Sequence, residues 1–474
     1  MDVFGADYEQ NKKRLIEEIG DQADLTIKYA YATSLEKQLT FFYFGEADMQ
    51  RMESCLRYLN GLPAAYFKKR GSEVERAKPS ISYAESVQVD VKKAVKSLYL
   101  DRVVLLLEGV PFAYVLQLKK GMNRNVEQPT IEPVIRGPKV SFIEDLNANI
   151  ALVRQYGDDE NLIVAEHVVH YKNKQKTIRY IHHKEKTEPA VVDEVAERLK
   201  GIKHANIEDS GKVESFLDNS PLYSPFPQIQ TTERVDRILG GLEEGRVAIF
   251  VDGSPFAIMV PTTFEQQLQA ADDYYERWMI SSLIRILRYI ALIITLFVAP
   301  VYIALVSFHQ GLIPDELSLT IMNTRMNVPF PAAGEVIVMT LFIELLREAS
   351  IRLPSPLGQT IGLVGGVVVG QAVVEAHIVS SIMVIIIALT AISSFAVPMY
   401  NLSLSFRLLS FIAIVFASMF GLFGVACFFI ALTIHLASLH NYGVHYFSLK
   451  FSFKKHGIYD AILRLPTVLK DKKG

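Results

Sequence analysis

RVVLLLEGVPFA, Arg102 to Ala113, and RVAIFVDGSPFA, Arg246 to Ala257, are two versions of one pattern, with Arg, Val, Gly, Pro, Phe and Ala at the same places and Glu108 matched by Asp252. Each is an apolar run that meets an acidic-Gly turn and then resumes, which predicts a buried β-hairpin. Upstream, KQLTFFYF (Lys37 to Phe44) resembles KQKTIRYI (Lys174 to Ile181), and helical patterns follow at 47–62 and 187–202. The two offsets, 144 and 137 residues, are nearly equal. Residues 1–125 and 140–272 therefore read as two similar α/β subdomains, joined by a proline-rich, extended linker at 126–139.

Charge divides the chain differently. Residues 1–280 hold 36 Lys+Arg against 43 Asp+Glu, a net of -7, whereas 281–474 hold 13 against 8, a net of +5, and the two give the overall -2. In the second half the charges sit at a few points between long uncharged runs, as in a membrane domain. The acidic first half carries no basic stripe, which argues against nucleic acid as a partner. Two cysteines, Cys55 and Cys427, exclude a disulfide framework and a cysteine-based zinc site. The charged first 30 residues have no apolar core of a signal peptide, so the N-terminal region is expected on the cytoplasmic side.

No enzyme is legible in the first half. His182 and His183 are adjacent and face opposite ways on a strand, and His167 and His170, spaced for a helix face, lack the other ligands of a zinc motif. Neither a phosphate-binding Gly-Lys-Ser/Thr loop nor a Ser/His/Asp constellation is present, and no cofactor is expected. Arg136 to Lys139 reads as a rigid turn, and Thr231-Thr232-Glu233 as a helix start.

Ile290 to Phe308 is 19 residues without a charge, close to the ~20 a helix needs to cross a bilayer, and Arg285 and Arg288 flank its cytoplasmic end. Tyr274, Tyr275 and Trp278 suit the headgroup level, and Pro300 is expected to kink the span. Val379 to Tyr400 and Leu408 to Ile434 are the next uncharged stretches, the latter interrupted by GLFG. Between them and the first span, Glu344, Arg347, Glu348 and Arg352 can meet across one helical turn. That segment is either an amphipathic surface helix or a membrane helix with its charges facing water or a partner. Residues 273–440 are thus a helical membrane domain of four to six spans in contact with lipid, and 441–474 a basic C-terminal tail.

GQTIGLVGGVVVGQAVVEA, Gly358 to Ala376, places Gly358, Gly362, Gly366 and Gly370 at steps of four. With no Lys or Arg between Arg352 and Arg407 it is not a phosphate loop. The glycines suit close helix packing. Gln359, Gln371 and Glu375 form a neighbouring row that either lines a narrow water path or marks the two ends of a short span.

IRGPKVSFIEDLNANIALVR, YSPFPQIQTTERVDRI, GRVAIFVDGSPFAIMVP, DDYYERW, FIELLREASIRLPSPLGQTIGLVGGVVVGQAVVEA and IHLASLHNYGV resemble, in order, the A subunits of GerA-type spore germinant receptors, over about residues 130 to 450. The resemblance implies a multi-pass protein of the spore inner membrane with its α/β region facing the core. It implies homo-oligomers, pentamers, forming a nutrient-gated cation channel together with a transporter-like B subunit and a lipoprotein C subunit. Pore-lining or charged membrane roles then fall to Glu344, Arg347, Glu348, Gln371 and Glu375. A non-conducting scaffold or signal-transmitting subunit, and a sporulation-specific channel paralogue of the stage V AF type, are the alternatives.

Overall fold

Strands whose two faces are both covered should be apolar at every position, and the quoted hairpins are built that way. The computed structural model of the chain describes residues 3–447, except 46, 62–83, 101, 119–128, 130, 135, 173, 203–205, 219–220, 222–223, 353–365, 367 and 369, together with 463–464. The chain forms two compact units, one of residues 1–219 with 229–261 and one of 220–228 with 262–474.

In the first unit the opening half runs α1 (Tyr8–Ile19), β1 (Leu25–Ala32), β2 (Lys37–Phe44), α2 (Met49–Asn60), β3 (Ala84–Gln88), α3 (Val91–Tyr99), β4 (Val103–Leu107) and β5 (Ala113–Leu116). The second half runs α4 (Leu146–Gly157), β6 (Leu162–Tyr171), β7 (Lys174–His183), α5 (Pro189–Gly201), α6 (Ser210–Leu217), β8 (Gln230–Thr232), α7 (Val235–Glu243), β9 (Val247–Val251) and β10 (Ala257–Val260). The sheets are ordered β1-β2-β4-β5-β3 and β6-β7-β9-β10-β8, the same topology twice, with every pairing antiparallel. The quoted stretches are the hairpins β4–β5 and β9–β10 at matching positions. Gly109 and Gly253 turn them at φ 73° and 76°, a conformation that favours glycine.

Alternation along β2 and β4 divides the first core. Phe42, Phe44, Val104 and Leu106 pack with Leu15, Ile19, Val95 and Leu98 of α1 and α3. Phe41, Tyr43, Val103 and Leu105 pack with Met52, Cys55 and Leu59 of α2. In the second copy Ala248, Phe250, Ala257 and Met259 pack with α4 and α7. Two expectations are corrected. Thr231 and Thr232 lie on β8, and the helix starts only at Val235, with Arg234 as its N-cap. His167 and His170 lie on β6, where an odd spacing sends them to opposite faces.

The two halves of this unit are joined by a buried ion pair. Arg154 of α4 donates through Nε to Asp24 Oδ2 at 2.6 Å and through Nη2 to Oδ1 at 2.7 Å, and a further Nη2 bond reaches Gln22 Oε1 at 2.9 Å. The guanidinium stacks over the Phe44 ring at 4.1 Å. Gln22 Oε1 also accepts the Val164 N–H at 3.0 Å, and the Ala23 N–H donates to the Val164 carbonyl at 2.9 Å.

The second unit is helical, with α8 (Phe264–Leu268), α9 (Trp278–Phe308), α10 (Asp315–Arg325), α11 (Ala332–Arg352), α12 (Gly370–Glu375), α13 (Ser381–Phe395) and α14 (Tyr400–Ser438). By length and composition α9 and α14 are apolar enough to cross a membrane, and α13 is apolar but only 15 residues long. The uncharged run Val379 to Tyr400 is not one helix. It breaks at 396–399, where Pro398 cannot continue the preceding ladder.

The GLFG break is a reversal. Gly421 takes φ 61°, ψ −141°, a backbone region nearly restricted to glycine. The Phe226 ring lies 5.8 Å from Phe406 and 5.9 Å from His435, although 29 residues of straight helix would separate these two by about 43 Å. Phe416 and Phe428, on opposite sides of the turn, are also ring neighbours at 6.2 Å. Residues 400–420 and 422–438 are therefore two antiparallel arms packed on α9, with Leu292, Leu296, Leu409, Ala413, Phe428 and Leu432 in their common core.

Candidate functional site

A charge between apolar helices is stable only if it finds a partner there, so the charged groups of the second unit locate its site. Glu344 on α11 is held by two arginines. Arg347, one turn along, donates from Nη1 to Oε1 at 3.1 Å, and Arg407, 63 residues later in the first arm of α14, donates from Nη1 to Oε2 at 2.6 Å. Arg347 also donates from Nη2 to Ser394 Oγ of α13 at 3.0 Å and lies over the Phe395 ring at 4.6 Å. This triad ties α11, α13 and α14 together. It borders a cavity of about 30 Å³ whose wall also carries Thr295, Thr340, Thr390, Ser394 and Ser410.

Two further clusters fix the ends of the bundle. Glu335, fully buried, pairs with Arg325 at 3.1 Å, and its Oε2 accepts the Ser380 N–H at 2.8 Å, at the N-cap of α13. At the start of α9, Asp273 accepts from Arg285 Nε at 3.1 Å and from Arg288 Nη1 and Nη2 at 2.6 and 2.9 Å. Arg464, from the C-terminal segment, donates through its guanidinium to the carbonyls of Asp273, Glu276 and Tyr274 and through its backbone N–H to Ser282 Oγ at 3.0 Å. The arginines expected as flanks of a span are thus buried partners of an aspartate.

Of the residues singled out in the sequence, Glu344 and Arg347 meet in the triad. Glu348 is exposed one face away and pairs with Arg352 at 2.8 Å. Gln371 and Glu375 on α12 are exposed and bonded to each other, Nε2 to Oε1, at 2.8 Å. Gly358, Gly362 and Gln359 lie outside the described residues. A Cβ added at Gly366 or Gly370 would meet nothing within 4 Å among the described residues of this chain. Arg407, Arg325, Glu335 and Asp273 were not read as site residues. For Arg407 the signal existed, a single arginine in a long apolar stretch, but its partner is 63 positions away and no local pattern gives it.

The sequence profile of the family described as Bacillus/Clostridium GerA spore germination protein matches residues 13–474. The chain belongs to the GerA spore germination protein family. Among its GerA relatives, spore germination protein A1 of Bacillus subtilis is 46% identical over 382 residues, covering 81% of this chain and 79% of that one. Spore germination protein B1 of the same organism is 36% identical over 459 residues, covering 94% of each. Spore germination protein GerLA of Bacillus cereus is 37% identical over 440 residues, covering 92% of this chain and 88% of that one. A solved structure, the N-terminal domain of the A subunit of the Bacillus megaterium spore germinant receptor GerK3, aligns with TM-score 0.40 and 21% identity, covering 56% of this chain and 98% of that one.

Proposed function

We propose that this GerA-family chain is the A-type membrane subunit of a spore germinant receptor. It crosses the spore inner membrane six times, assembles with copies of itself as a pentamer, and joins a transporter-like B subunit and a lipoprotein C subunit. The assembly conducts monovalent cations when nutrient is bound, and the chain itself is non-enzymatic. Residues 1–125 and 140–272 form its core-facing α/β region, 126–139 the linker, 273–440 the membrane domain and 441–474 the basic tail.

Five of the proposed crossings are α9, α11, α13 and the two arms of α14, and the sixth, which the sequence suggests at 358–376, falls largely outside the described residues. The supporting contacts alternate between the ends of the bundle. Glu335 at the start of α11 meets Ser380 at the start of α13, so the chain between them must travel away and return. The turn at Gly421 reaches Phe308 and His309 at the far end of α9. Arg464 reaches the residues that precede α9. An even number returns the basic tail to the cytoplasmic side, as positive residues favour.

The observation that carries the conduction reading is the exposed Gln371–Glu375 pair beside Gly366 and Gly370, where an added Cβ would meet nothing within 4 Å among the described residues. Glu344 is already paired with two guanidinium groups, whereas Glu375, bonded to Gln371, has no cationic partner among the described residues. In the reconstituted receptor, Glu375→Gln should change cation conductance or selectivity severalfold, while Glu344→Gln should chiefly lower the yield of folded protein. An unchanged conductance and selectivity in Glu375→Gln removes that residue from the path. Absence of any current from the complete receptor favours the non-conducting, signal-transmitting subunit.

A further inference from the structure

We propose that the cavity bordered by Arg347 and Arg407 is a binding site for one small monovalent anion of halide size. Charge is the first reason. The triad sums two guanidinium groups and one carboxylate, a net of +1, and among the described residues the rest of the lining, including Thr295, Thr340, Thr390 and Ser410, brings no second acidic group. Uncompensated charge in such surroundings is strongly disfavoured.

Donor geometry is the second. Both oxygens of Glu344 are taken, one by each arginine, and the Nε–H groups of Arg347 and Arg407 are buried with no acceptor among the described residues. A buried donor without an acceptor is costly, and more so when it is charged. A single anion in the cavity, beside both guanidinium groups, would compensate the excess charge. Water would leave the excess charge in place, and a cation would add to it.

Size is the third. About 30 Å³ holds one or two waters or one halide ion and excludes an amino acid or a sugar, so this cavity is not a nutrient site. The wall hydroxyls now donate to carbonyls of their own helices, as Thr295 does to Ala291 at 2.8 Å and Thr390 to Ile386 at 2.9 Å. Each can rotate to donate inward once an anion is present. Because the anion would touch groups from α11 and α14 beside a wall shared with α9 and α13, occupancy would stiffen the contact among four helices. The site stands on these contacts alone and does not depend on whether the assembly conducts.

The test uses the full-length wild-type protein in detergent, with thermal unfolding followed at constant sodium ion concentration in chloride, bromide or gluconate. Chloride and bromide should raise the midpoint saturably, as ligands of the folded state do, and gluconate should not. Glu344→Gln, which raises the net charge of the cluster, should tighten halide binding by about tenfold, and Arg407→Gln should abolish it. A purely structural ion cluster predicts no dependence on the anion in any of the three proteins. Identical wild-type midpoints in the three salts overturn the site, and so does an Arg407→Gln protein that folds and keeps the halide effect. Should that variant fail to fold, the anomalous signal of bromide in wild-type crystals decides, with a peak between the two guanidinium groups expected and its absence contradicting the proposal.

Discussion

Asp24→Ala is expected to destabilise the α/β unit by about 3–5 kcal/mol, because it strands the Arg154 guanidinium inside the unit without its carboxylate. The side chains of the pair are only 3% and 1% exposed, so water cannot replace the lost partner without opening the contact between the two sheets' subdomains. Both N–H···O bonds are short and form the bidentate geometry in which Arg pairs most strongly with a carboxylate. Removing both charges should cost less than removing one. In an Asp24→Ala, Arg154→Met double variant the methionine can keep the packing on Phe44 and Tyr99, and a large part of the loss should be recovered. Equilibrium unfolding of the purified full-length protein checks both statements. A single-variant loss below about 1 kcal/mol would mean that the pair is solvated in solution.

The second large effect is expected at the reversal of α14. A Cβ on Gly424 would lie 2.1 Å from the carbonyl oxygen of Phe416, eight residues back across the turn. That atom belongs to a helix backbone and cannot step aside as a side-chain end can. Gly424→Ala should therefore cost about 3 kcal/mol or more and separate the two arms. Gly421 is constrained twice, by its positive φ and by Phe308 and His309 at 2.9–3.0 Å. A control at Gly311, where an added Cβ meets nothing within 4 Å, should leave the unfolding midpoint of the detergent-solubilised protein almost unchanged. A Gly424→Ala protein with a wild-type midpoint would contradict the antiparallel arms.

The α/β half was legible because its information is local and written twice. Each hairpin carries its own strands and turn, and the equal offsets at Arg102 and Lys37 showed that the strands recur in the same order. What the sequence did not give there was the short strand β8: three residues, Gln230 to Thr232, have no period to detect, and Thr-Thr-Glu resembles a helix start equally well. In the helical half the apolar stretches marked α9, α13 and α14, but hydropathy cannot tell a tilted helix from a reversed one. The decisive facts at Gly421 are a backbone angle and contacts with Phe308 and His309, more than a hundred positions away. The site was half legible for the same reason. Glu344 and Arg347 are one turn apart and could be paired by spacing, whereas Arg407, which completes the triad, and Asp273, which captures Arg285 and Arg288, are joined to their partners only by tertiary packing.

The glycine seam connects this unit to its proposed assembly. A step of four between Gly366 and Gly370 allows close backbone approach, and a Cβ added at either would meet nothing within 4 Å among the described residues. In the proposed assembly a second copy would supply the opposite face and set the Gln371–Glu375 pair along a shared axis. The most direct measurement is the mass of the full-length protein extracted in a mild detergent. A closed ring with a mass of five copies is the predicted result, and a protein that stays monomeric at all concentrations would contradict the channel.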